Sequence, residues 1–171
     1  GTLTHNCLEA LYMPYVGKQL SQSDCKDMID RVDTVADELV KLEYPQNISG
    51  KNVLALAAIK RNIQNIIAHE QGEIVAGNVI EIVALEQKLS MTQTVPGIEG
   101  PVTFKGTVDR VDKYNGTYRV LDYKTGQLQD VGIMDWTDLA NDPDRGQARQ
   151  LLMYAMLWNT HNPNNPAGQA G

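Results

Sequence analysis

At 171 residues the chain has room for one domain with a real core, and its 42% apolar and 21% charged residues are ordinary for a globular fold. No stretch reaches the ~18 uninterrupted apolar residues of a membrane span, and no leader pattern follows Gly1. The net charge of −6 argues against a domain that holds nucleic acid by bulk positive charge, although a local basic patch would be enough.

Cys7 and Cys25 are the only cysteines. Their spacing fits no zinc pattern, and two cannot hold an iron–sulfur cluster that takes four, so none is expected. They read as buried or free thiols of a reducing cytoplasm.

In chain order, residues 2–13 read as a helix. Thr2 or Thr4 can cap it, and Leu3, Cys7, Leu8 and Leu11 are spaced for one buried face, with His5 near that stripe and Glu9 one turn on. Tyr12 to Gln22 is a linker. Ser23 to about Leu42 is a second helix, apolar at Met28, Ile29, Val32, Val35, Ala36, Leu39 and Val40. After the break at Tyr44-Pro45-Gln46-Asn47, Ser49 is placed to cap a third helix to about Glu70, apolar at Val53, Leu56, Ile59, Ile63, Ile66 and Ile67. These helices read as packing elements, with Arg61 and His69 on the surface. Gly72 and Gly77 interrupt the pattern, and Val79 to Thr92 reads as a strand carrying Glu86.

Phe104 to Gly126 is the most informative stretch. Asn115-Gly116 is a strong hairpin signal, because a type I′ turn needs positive φ at both central residues. With that turn, opposed residues sum to 231: Tyr114 faces Thr117, Val111 faces Val120, Asp109 faces Asp122 and Thr107 faces Lys124. Side-chain alternation then puts Asp109, Asp122 and Lys124 on one face. Opposed like charges destabilise a strand pair, and a divalent cation between them reverses that cost; hard oxygen ligands suit Mg²⁺ or Mn²⁺. The bland alternative is a solvated hairpin face.

Leu128 to Arg145 reads as a polar loop with a short helix near Trp136, whose ring either anchors the loop or stacks on a base. A last helix runs from Pro143-Asp144 to about Asn159. Gln150 and Tyr154 lie one turn apart on it. The tail Asn162 to Gly171 has loop composition.

GTVDRVD followed by YRVLDYKTG resembles the paired motifs of the PD-(D/E)XK nuclease superfamily, and most of all its RecB/AddB-like exonuclease branch, with its G-x-x-D-R-x-D and D-Y-K-[ST] strands. Gly1-Thr2-Leu3-Thr4-His5 resembles the helix that supplies a histidine ligand. Gln150 to Ala155 resembles the Q-x-x-x-Y helix. Glu86 in ALEQKL resembles an acidic position on the first sheet strand, where it is either a supporting ligand or a half-exposed polar residue. The resemblance implies an α/β fold with a restriction-endonuclease-like core: a three-stranded antiparallel meander in a mixed sheet flanked by helices. A single nuclease domain over 1–171 is expected, mainly helical over 1–71 and with the catalytic sheet and helix over 79–160. The abrupt start and the missing last strand that relatives carry suggest a piece of a longer protein.

The resemblance further implies metal-dependent hydrolysis of DNA phosphodiesters in repair or recombination. His5, Asp109, Asp122 and the Tyr123 carbonyl, with weaker support from Glu86, would hold one or two Mg²⁺ or Mn²⁺ ions. Lys124 would position the water or shield the phosphate, and Gln150 and Tyr154 would place the backbone. Candidate phosphate-contacting cations are Lys105, Arg110, Lys113, Arg119, Arg145 and Arg149. The expected partners are DNA, as single-stranded ends, and a helicase subunit or domain, with no membrane. The alternative is a catalytically silent nuclease fold that binds DNA or acts as a scaffold in a helicase–nuclease complex; a third possibility is a module for a phosphorylated small molecule.

Overall fold

The computed structural model describes residues 2–43, 50–124, 139 and 142–171. They fall into two compact units, Gly1–Val83 and Ala84–Gly171.

The first unit is helical. Helix α1 (Thr2–Tyr12) runs into a 3₁₀ turn (Met13–Tyr15), where the sequence suggests only a linker. Helix α2 (Gln22–Glu43) starts one residue earlier than its apolar pattern implies. The reason is a reciprocal cap: Ser21 N–H donates to Asp24 Oδ2 at 2.8 Å, and Asp24 N–H donates to Ser21 Oγ at 3.2 Å. Helix α3 (Lys51–Val75) runs through Gly72, which costs roughly 1 kcal/mol against alanine but does not stop a helix of this length. Gly77, at φ 96°, ends it instead. Gly50 stands at the N-cap without a side-chain bond, and Ser49, the expected cap, lies outside the described residues, as do Tyr44 to Asn47.

Cys7, Leu8, Leu11, Met28, Val32, Ile63 and Ile67 form the core of this unit. Full burial of each large aliphatic side chain contributes on the order of 1.5–3 kcal/mol. The expected α3 stripe is only half realised: Ile63 and Ile67 are buried, while Val53 is half exposed. A polar contact that the sequence does not announce joins α1 to α3, where the Tyr12 hydroxyl donates to the buried Glu70 carboxylate at 2.6 Å. Gln19 bridges Glu81 at the start of β1 (Ile80–Thr94).

The second unit is a four-stranded sheet in the order β1, β2 (Pro101–Tyr114), β3 (Thr117–Leu121), β4 (Ala167–Ala170), with helix α4 (Gly146–His161) following a 3₁₀ turn at Pro143–Arg145. β2 and β3 are antiparallel, and β3 and β4 are parallel, which makes the sheet mixed. The connection over 95–100 is too short for a parallel crossover, so β1 and β2 are also antiparallel. This is the expected meander flanked by helices.

The sequence reading leaves out β4, and the structure corrects it. Ala-Gly-Gln-Ala has little strand propensity, but the open edge of β3 supplies partners. Gly171 N–H donates to Val120 O at 3.0 Å, and the turn before β4 is held by Trp158 Nε1 on Asn165 O at 2.9 Å and by Ala167 N–H on Asn159 Oδ1 at 2.7 Å. Gly168 is required by contact, since a Cβ there would lie 2.7 Å from Thr117 Cγ2.

Candidate active site

The hairpin register follows from its turn. Asn115 and Gly116 have φ of 50° and 85°, and the ladder pairs Tyr114 with Thr117, Val111 with Val120 and Arg110 with Leu121. β3 ends at Leu121, so Asp122, Tyr123 and Lys124 leave the ladder, and neither the expected Asp109–Asp122 pair nor the expected Thr107–Lys124 pair forms part of it. Other groups fix these three residues. Asp122 N–H donates to Gly171 O at 2.9 Å, which ties it to β4. Tyr123 N–H donates to Asp109 Oδ2 at 2.6 Å. Lys124 Nζ lies 2.5 Å from Asp122 Oδ2 and donates to Gln150 Oε1 at 2.9 Å, and Gln150 Nε2 donates to the Tyr154 hydroxyl at 2.7 Å. The helical spacing of Gln150 and Tyr154 therefore becomes a relay from α4 to the strand end. Gly106 makes room for it, because a Cβ there would lie 2.6 Å from Tyr154 Cε1.

The carboxylate that the structure brings to Asp109 is Glu86, with oxygens within 4.8 Å of each other. Glu86 has φ 46° inside a strand, where a non-glycine residue rarely goes and where the backbone costs on the order of 1–3 kcal/mol. Asp109 is 7% exposed and the Asp122 side chain 6%. Glu86 and Asp109 repel each other as carboxylates at this distance. An all-oxygen donor set of this kind fits a hard divalent cation, which removes the conflict.

The DRxD segment also builds a buried ion cluster on the hairpin. Arg110 and Asp112 are fully buried and paired through Nη2 and Oδ2. Arg119 closes on Asp112 with two bonds, Nε to Oδ1 at 2.8 Å and Nη2 to Oδ2 at 2.9 Å, and lies 4.3 Å from the Tyr114 ring centroid. Arg110 Nη1 reaches the Tyr123 hydroxyl at 3.3 Å. Arg110 is therefore not a surface cation for phosphate. The signal was available, because the 231 register puts Arg119 across from Asp112.

The other expected cations are also engaged. Lys113 sits 5.1 Å from the Tyr118 ring centroid. Arg145 pairs with Asp142 at 3.6 Å. Arg149 donates to the carbonyls of Leu139 at 2.9 Å and Asp142 at 2.7 Å. Lys105 has no ion pair among the described residues. His5 and Glu9 are half-buried in α1 of the first unit. Trp136, with the loop and short helix expected around it, lies outside the described residues. Cys7 and Cys25 are buried and are not joined in a disulfide.

A family model of the PD-(D/E)XK nuclease superfamily matches residues 1–171. The chain belongs to this superfamily. No curated protein and no solved structure matches it. Nucleases of this superfamily use divalent metals, in keeping with the oxygen donors of Glu86 and Asp109. The mixed sheet with flanking helices is the restriction-endonuclease-like fold that membership implies. No helix among the described residues is long and apolar enough to cross a membrane.

Proposed function

We propose that this superfamily member is a Mg²⁺- or Mn²⁺-dependent deoxyribonuclease of the RecB/AddB-like exonuclease kind. The observation that supports it best is the Glu86–Asp109 carboxylate pair in the same unit as the Asp122–Lys124–Gln150–Tyr154 relay. Glu86, Asp109, Asp122 and the Tyr123 carbonyl would hold one or two metal ions, with His5 as a further ligand, and such an ion would supply charge neutralisation at the phosphate and a more acidic water.

The chain's own groups do the rest. Lys124, fixed between Asp122 and Gln150, keeps its ammonium at the site to orient the attacking water and shield charge on the phosphate. Gln150 and Tyr154 set the lysine and line the strand's path. A water oxygen forms the new P–O bond while the ester P–O bond breaks, and the departing oxygen is protonated. The substrate is the single-stranded end of DNA, such as a helicase partner exposes in repair or recombination. Readout is sequence-independent, since contacts to phosphate carry no base information.

Cleavage of linear single-stranded DNA with Mg²⁺ or Mn²⁺ tests this reading. It requires loss of cleavage with a chelator and in Lys124→Ala. Cleavage that survives both would contradict it.

A further inference from the structure

One contact between hydroxyls gives the register of β1 on β2 beyond Glu86. Thr92 Oγ1 and Thr103 Oγ1 are 3.0 Å apart, so opposed residues there sum to 195. In that register Lys88 lies across from Thr107, and Ser90 across from Lys105. The groove of about 420 Å³ lined by Lys88, Leu89, Ser90, Lys105, Gly106 and Thr107 fits this pairing. Leu89 is buried while Lys88, Ser90 and Lys105 are exposed, so the two ammonium groups and two hydroxyls stand on the open face.

Diagonal neighbours on a sheet face are about 7–8 Å apart, close enough for two lysines to repel. Neither lysine has an ion-pair partner among the described residues. Such an arrangement is favourable when an anion lies between them. Asp109 continues the same side of β2, because Lys105, Thr107 and Asp109 alternate at two-residue steps, about 6.7 Å each. The basic groove therefore leads along the sheet to the carboxylates.

We propose that Lys88, Lys105, Ser90 and Thr107 form a subsite for the phosphodiester backbone of a nucleic-acid strand, holding phosphates next to the one that is cleaved. This rests on the nuclease reading and adds to it where the strand runs. The contacts are to phosphate, so the subsite is indifferent to base.

The test is fluorescence anisotropy of labelled oligo-dT, with Ca²⁺ present, between about 50 and 200 mM KCl. Each neutralised phosphate contributes roughly 0.7 to the slope of log K against log salt on a single strand. Lys88→Gln/Lys105→Gln is expected to lower the magnitude of that slope by about 1.4, equally for oligo-dT and oligo-dC. Lys88→Arg/Lys105→Arg is expected to keep it. Lys41→Gln/Lys51→Gln makes the same charge change on exposed residues of the helical unit and should leave it unchanged. Equal slopes in all variants would overturn the subsite. A chain that cleaves DNA while those slopes are equal keeps the nuclease reading and loses this one. A parent that neither binds oligo-dT nor cleaves loses both.

Discussion

Tyr123 N–H donates to Asp109 Oδ2 at 2.6 Å, so a side chain of β2 takes over where the β2–β3 ladder stops. The bond orients one carboxylate oxygen by a backbone group and fixes the residues that carry Lys124. Tyr123 is also held at its far end, where its hydroxyl accepts from Arg110 Nη1 at 3.3 Å.

That second anchor is testable. Removing one partner of a buried ion pair costs about 3–5 kcal/mol. Arg110→Met should fall near the low end, about 3 kcal/mol, because Asp112 keeps Arg119. Tyr123→Phe loses one bond to a charged group, about 1.5 kcal/mol. Arg110→Lys should not restore the parent, since one ammonium cannot match the forked geometry. Urea unfolding measures all three.

Glu86 should show a trade of stability against function. Glycine accepts positive φ freely, so Glu86→Gly relieves strain of about 1–2 kcal/mol and gives back about 0.5–1 in strand entropy. The expected result is a variant as stable as the parent or up to about 1.5 kcal/mol more stable, with weakened Mn²⁺ binding. Glu86→Gln keeps the strain and also weakens Mn²⁺ binding. Thermal unfolding and calorimetry on the same samples would decide it.

The hairpin was legible because the Asn115-Gly116 turn fixes the opposed pairs from Tyr114 and Thr117 down to Arg110 and Leu121; beyond them the strand ends, and the expected Asp109–Asp122 pair is not part of the ladder. The Gln150–Tyr154 bond was legible from helical spacing. Other features were not, for physical reasons. β4 forms by tertiary pairing on Ala-Gly-Gln-Ala, where local preference says loop. The prominence of Glu86 depends on a backbone twist that no periodicity announces. Gly72 looks like a stop and is not, because packing at Ile63 and Ile67 carries the helix past it.

β4 should be sensitive to one methyl group. Gly168→Ala puts a Cβ 2.7 Å from Thr117 Cγ2, an overpacking that costs about 1–3 kcal/mol. Because Asp122 N–H bonds Gly171 O, the Asp122 amide should also exchange faster. Thr117→Ser removes the clashing methyl group, so the double variant should recover much of the loss, read as a coupling in a double-mutant cycle.

Cys7 makes a prediction about pH. Burial pushes its thiol up from 9.0 to about 11, and Glu43 adds to the effect. The unfolded thiol ionises near 9.0 while the folded one stays neutral, so above that pH the unfolded state holds fewer protons. The stabilising contribution is fully present below about 9 and is lost as pH rises toward about 11. Urea unfolding at low and high ends of this window should show a steeper loss for the parent than for Cys7→Ala.

The most direct measurement is Mn²⁺ titration by calorimetry of the parent, Asp109→Asn and Lys124→Ala, with unfolding curves of each as controls. The carboxylate site predicts that the parent binds Mn²⁺, that Asp109→Asn loses this binding while still folded, and that Lys124→Ala keeps it. A parent that takes up no Mn²⁺, or a folded Asp109→Asn that binds it like the parent, would contradict a metal-dependent nuclease centre at these residues.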